Sequence, residues 1–207
     1  MAILTDAHNL ARTLLGERQT PPEVFNDTFL LGLSPEIYRE IQRRLAAAGV
    51  AQLKDYAVFN VAIATLSVTD GAVGYPLTVI KPRKLWERDQ ASVLFADYVE
   101  MEEAWPSLIP RAAVTALVHW EWKNKTLYFV GGLGARTIRM EFAKYLADLT
   151  AVGDTLAIPD CMGALAYGTA AAAARSRGSG LAADLDTVFE GMVQKLIERD
   201  MGRATGA

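Results

Sequence analysis

The spacing of apolar residues changes twice along this 207-residue chain, and that double change constrains its fold more than any single motif. Apolar positions recur every three or four residues up to about residue 55, alternate in short β-branched runs through the middle, and return to the helical rhythm near the end. A three-four stripe must be buried against another helix, and an alternating stripe against the far side of a sheet. The chain is therefore expected to be α+β: a helical bundle with an inserted antiparallel β region. Residues 1–55 would supply the first helices, 56–150 the β-rich insertion and 151–207 the last helices, all in one compact unit.

Three helices are expected before residue 55. Thr5 or Asp6 caps a segment carrying Ala7, Leu10, Ala11, Leu14 and Leu15, with Gly16 at its end. The run TPPE at 20–23 combines a capping box with proline at the first helical position and predicts a second helix ending at Gly32. Ser34, Pro35 and Glu36 predict the start of a third, with Ile37, Ile41, Leu45 and Ala48 as its stripe. After residue 150, Ile158-Pro159-Asp160 opens a small-residue helix to about Arg177, broken by Gly178-Ser179-Gly180. The last helix carries Leu181, Leu185, Val188, Phe189, Met192, Val193, Leu196 and Ile197 and should dock on the alanine-rich helix and the N-terminal ones.

The densest aromatic stretch is HWEWKNKTLYF, residues 119–129. With Asn124-Lys125 as a two-residue turn, Trp122 faces Leu127 and Trp120 faces Phe129 on one side, while Glu121 faces Tyr128 on the other. One continuous apolar face follows, so the tryptophans are expected to close a core. Pro82 places its strand at an edge or puts itself near a strand start.

Composition excludes several kinds of chemistry. A net charge of -3, from 21 basic and 24 acidic side chains, lacks the basic footprint of an autonomous nucleic-acid binder. Cys161 is the only cysteine, so neither an intramolecular disulfide nor a cysteine-based metal site is expected, and a reducing cytoplasm fits. His8 and His119, the only histidines, lie far apart without metal-ligand spacing. The start MAILTDAH does not resemble a secretory signal, and GALAYGTAAAAA falls short of the ~18–20 apolar residues that span a bilayer. No serine sits in a GxSxG elbow, and GGLGAR lacks the Lys-Ser/Thr ending of a phosphate loop. Asp97, Glu100, Glu102 and Glu103 crowd the segment FADYVEMEEAW; paired carboxylates serve acid–base catalysis, but four together more often make a solvated face. No enzyme activity and no cofactor are expected.

From about Leu77 onward the order of segments is distinctive: VIKPRKLWERDQ, then F-x-x-Y-V-E-M, the HWEWKNKTLYFVGG hairpin, TIRMEFAKYL, IPDCMGALAYGTAAAAARSRG and a final amphipathic helix. In this order the chain resembles the head-to-tail adaptor proteins of tailed bacteriophages, the head-completion or connector proteins below the portal. The resemblance implies a non-enzymatic virion component of the neck. About twelve copies would form a ring under the portal protein, extend the DNA channel without binding DNA specifically, and offer a surface to a tail or stopper protein. It further implies a portal-facing C-terminal segment, with Arg199, Met201 and Arg203 as portal-binding residues. Asp97, Glu100, Glu102 and Glu103 would line the channel, where negative charge keeps DNA phosphates from adhering. A different class of function remains open beside it: a small ligand- or carbohydrate-binding module that stacks its ligand on Trp120 and Trp122.

Overall fold

The computed structural model describes residues 2–17, 24–69, 72, 74–76, 78–104, 115–129 and 133–204, the side chains of 52 and 201–204 excepted. The chain divides into two compact units: residues 1–53 with 145–207, and residues 54–144.

The first unit is helical: α1 (Leu4–Leu14), α2 (Asp27–Leu31), α3 (Ser34–Ala47), α4 (Met162–Ser176) and α5 (Ala182–Ala204). Helix α4 is its axis, in contact with α1, α3 and α5. Small side chains permit that: Ala164, Ala166, Gly168, Ala170, Ala171 and Ala173 are all buried, leaving neighbouring backbones room to approach. Gly168 marks the tightest point, since a Cβ there would lie 2.5 Å from Ile37 Cγ2 and 3.0 Å from two ring carbons of Phe189. Helix α5 buries Leu185, Phe189, Val193 and Leu196, whereas Leu181 and Val188, expected in the same stripe, are exposed. Val188 lies about 100° around the helix from Phe189, which turns it off the docking side. Gly178, with φ +67°, ends α4 at the expected break; its amide donates to the Arg175 carbonyl and that of Ser179 to the Ala174 carbonyl.

Helix starts differ from the expected ones. Helix α1 begins two or three residues earlier than expected, with the Asp6 carboxylate accepting from the Ile3 amide. Helix α2 is capped by Asn26, whose side chain accepts from the Phe29 amide at 2.9 Å; the TPPE signal at 20–23 lies outside the described residues. Ser34 is the first residue of α3 and not its cap, because its hydroxyl is paired with His8 instead.

The second unit contains β1 (Lys54–Val61), β2 (Ser67–Thr69), β3 (Val79–Asp89), β4 (Val99–Glu103), β5 (His119–Lys123), β6 (Thr126–Phe129) and β7 (Arg136–Lys144). They form one seven-stranded sheet in the order β1-β7-β3-β4-β5-β6-β2, curled into a nearly closed barrel. The β5–β6 hairpin has the expected register, Trp122 opposite Leu127, Trp120 opposite Phe129 and Glu121 opposite Tyr128. Asn124 and Lys125 both take positive φ, as a turn matching the strand twist requires. Inside, Leu85, Trp120, Leu127, Ile138 and Met140 form the sheet's own core. Pro82 sits near the start of β3 beside a register shift, so its missing N–H falls where the ladder is already interrupted.

This arrangement overturns the expected helical bundle with an inserted antiparallel β region. Strands make up 27% of the chain against 39% helix, and the sheet is a unit of its own, nearly closed and with a separate core, instead of an insertion into a helical bundle. It is also mixed, because β4 and β5 run parallel, Glu102 opposite His119 and Glu103 opposite Trp120. Side-chain alternation has the same period in either direction, so the spacing that revealed the strands carried no information about their sense.

Candidate interaction surface

Cross-strand register lines up the outer face of the sheet. Val58 of β1 lies opposite Arg139 of β7, Arg139 opposite Trp86 of β3, and Trp86 opposite Glu100 of β4. The residues one step along, Ala57, Met140, Leu85 and Met101, face the core, and the alternation of the pleat therefore turns the first row outward. Arg139 sits with its guanidinium carbon 4.7 Å from the Phe95 ring centroid, 4.9 Å from that of Tyr56 and 5.5 Å from that of Trp86. Each ring presents its negative quadrupole to the cation, which holds the long side chain in place. The Tyr56 hydroxyl donates to Glu141 Oε2 at 2.9 Å and so occupies the carboxylate two residues along the strand. Among the described residues the Arg139 guanidinium has no hydrogen-bond acceptor and no ion-pair partner, so its five N–H groups are unspent.

A preorganised loop borders this platform. Between β3 and β4, Arg88 Nη1 donates to the Leu94 carbonyl at 2.9 Å, the Ala91 amide donates to Asp89 Oδ1, and the Ser92 hydroxyl bonds the Asp97 carboxylate. Arg88 also stacks over Tyr98 at 4.7 Å. These bonds fix the backbone while Val93 (84% exposed), Leu94 and Phe95 (68%) point into solvent. With Val58 at 56%, they are exposed apolar side chains on the strand and loop that contribute rings to the stacked arginine, residue types enriched in protein-binding surfaces.

Of the acidic residues singled out from sequence, Glu100, Glu102 and Glu103 line one open cavity together with Arg83 and Lys84, and Asp97 lies in the loop before β4. Asp97 is bound within the loop by Ser92, and Glu100 pairs with Lys84 Nζ at 3.2 Å. Glu102 and Glu103 lie past the point where β4 stops pairing with β3 and continues beside β5. The Glu102 side chain is 81% exposed, with His119 Nδ1 3.9 Å away; Glu103 is exposed as well. Arg199 lies in α5 and is turned back on its own chain, one Nη bonded to the Asp160 carboxylate and the other to the Pro159 carbonyl. Met201 and Arg203 belong to the same helix by backbone, and their side chains lie outside the described residues. Trp120 is 1% exposed and Trp122 packs at the core's margin, so the pair offers no open stacking platform.

One constellation went unseen in the sequence. His8 Nδ1 lies 3.2 Å from Asp27 Oδ1 and His8 Nε2 lies 3.2 Å from Ser34 Oγ, while Arg12 Nη2 donates to the same Asp27 oxygen at 2.5 Å. The trio has the atoms of a hydrolase triad, yet His8 and Ser34 are fully buried, so no substrate reaches the hydroxyl. It is a polar tie between α1, α2 and α3. Burial pushes the His8 imidazole below its ordinary value, and the Asp27 carboxyl is held low, against its own partial burial, by the hydrogen bonds of Arg12 and His8. Burial also lifts the Cys161 thiol to about 12. Among the described residues no group of His, Cys, Asp or Glu is placed to hold a metal ion, and no helix is long and apolar enough to cross a membrane.

Sequence reasoning missed Arg139, Tyr56, Trp86 and Phe95 as a group. The signal the sequence does hold is the alternation of Thr137, Arg139 and Glu141 with Ile138, Met140 and Phe142, which puts Arg139 on the polar face of its strand. What it lacked was the register of β1 and β3 on either side. The chain matches no known family model and no curated protein.

Proposed function

We propose that this protein works by binding other protein subunits, as a head-to-tail adaptor of a tailed bacteriophage. In this reading several copies form a ring below the portal, extend the DNA channel and present a surface to the tail or stopper protein beneath. The ordered segments from residue 77 onward support the family, and the outer sheet face supports the mode of action. The observation that carries the reading is the arginine stacked on three aromatic rings with its donors unspent beside exposed apolar side chains. The acidic channel lining is left out of the proposal, since Asp97 and Glu100 are already engaged within the chain.

Electron microscopy of the protein mixed with its portal ring, against each alone, tests this. An added annular layer of matching symmetry is expected; no association with an intact portal overturns the adaptor reading. Removing residues 202–207 should weaken portal docking and leave the fold intact, and unchanged docking would take the C-terminal segment out of the proposal.

A further inference from the structure

The ring reading requires each copy to present two different surfaces to its neighbours, because only a head-to-tail contact closes a cycle of more than two. Resting on that reading, we infer that Arg139 of one copy receives the carboxylate of Glu102 from the next, the aromatic platform serving as socket and the outer face of β4, where it pairs with β5, as plug.

The two sides complement each other in charge and in availability. The socket is a cation whose guanidinium lacks an anionic partner among the described residues, while the plug is a carboxylate 81% exposed near the end of a strand, with His119 Nδ1 3.9 Å away. Of the other carboxylates near them, Glu141 accepts from the Tyr56 hydroxyl, Glu100 pairs with Lys84 and Asp97 bonds the Ser92 hydroxyl, while Arg83 and Lys84 line the same cavity as Glu102. Stacking restricts the guanidinium in advance, so less side-chain freedom is lost on contact, and a planar fork suits a carboxylate bidentately. Val58, Val93, Leu94 and Phe95 supply exposed apolar side chains that would exclude water and strengthen the ion pair. Socket and plug are separate places on the sheet: Arg139 lies on β7, flanked by β1 and β3, whereas Glu102 belongs to β4 beyond its pairing with β3.

Sedimentation velocity of the free protein, without portal, tests the contact. Wild type at up to about 1 mM, the weak limit of a useful contact, should form species larger than a dimer that dissociate at high salt. Arg139→Gln, and separately Glu102→Gln, should weaken association by about 30-fold or more with unchanged far-UV circular dichroism and melting. Arg139→Lys, which keeps the charge and loses the fork, should fall between. A mixture of the two glutamine variants retains one intact contact per pair and should stop at a heterodimer. A monomeric wild type, a wild type that stops at dimers, or variants that associate as wild type does would each overturn the inference. None of these results bears on the layer seen under the portal, so a failed contact and a failed adaptor reading are told apart.

Discussion

Replacing Gly168 by alanine sets two known effects against each other at one atom. A helix interior favours alanine over glycine by about 1 kcal/mol, so on propensity alone Gly168→Ala should stabilise α4. The added Cβ, however, would stand 2.5 Å from Ile37 Cγ2 and 3.0 Å from Phe189 Cδ2 and Cε2, where carbon atoms ordinarily rest about 3.5–4.0 Å apart. Ile37 meets the new atom with a methyl attached at its own Cβ, which cannot swing away without moving the side chain's base. Overpacking of this kind costs about 1–3 kcal/mol, and the overlap here places the cost in the upper part of that range. The net expectation is destabilisation by about 1–2 kcal/mol, or a melting temperature lower by about 2–8 °C in a chain of this size. Gly191 in α5 is the internal control, because nothing lies within 4 Å of the Cβ it lacks. Gly191→Ala should raise the melting temperature by the propensity term alone. Calorimetry of both variants decides the matter, and a Gly168→Ala protein that melts at or above wild type would refute the close approach of α3, α4 and α5.

Leu196→Asp places an unpaired charge in the buried side of α5 and should cost upwards of about 4 kcal/mol, unfolding or loosening the helical unit by circular dichroism; wild-type-like melting would mean the helix docks elsewhere. The folded state holds the His8 pKa below 6.5, so the unfolded chain binds the proton more readily. Stability is thus flat in this group's contribution above about pH 6.5 and falls as the pH drops below it. Denaturant titrations across pH 7.5 to about 5 should lose that slope in His8→Gln, and an identical slope would remove His8 as its source. Cys161, buried and with its thiol at about 12, should resist alkylation at pH 8 until the protein is denatured; rapid labelling of the native protein would contradict its burial. Trp120→Ala should cost about 3–5 kcal/mol and disrupt the sheet unit, whereas a merely local change would argue that Trp120 is not a core residue.

Local features were legible in the sequence and distant ones were not. The β5–β6 hairpin was read to the residue because a two-residue turn ties strand register directly to numbering. The break after α4 was read from Gly178 for the same reason. The parallel partnership of β4 with β5 was not, since Glu102 and His119 meet only through an intervening connection whose path leaves no periodic trace. The Arg139 platform draws Tyr56, Trp86 and Phe95 from β1, β3 and the loop after β3, so two strand registers and the path of a loop must be known before its members can be named. Ser34 illustrates a conflict of roles: by type it is a helix cap, but its hydroxyl is taken by a histidine 26 positions earlier.

The pairing of the first and last strands of the sheet has a consequence for how the chain assembles. Lys54, where the sheet unit begins, lies directly across from Ala143, one residue before that unit ends. The helical unit is split in sequence by the whole sheet, and an unstructured spacer of that length would burden its closure with an entropy that grows with the logarithm of the spacer. Once β1 and β7 have zipped together, the spacer shrinks to one strand spacing, about 5 Å, and the two helical portions behave as if joined by a tight turn. The zipping of β1 onto β7 is then the non-local step that eases closure of the helical unit, and the same adjacency makes residues 54–144 a cassette that could be lifted out and bridged by a few residues.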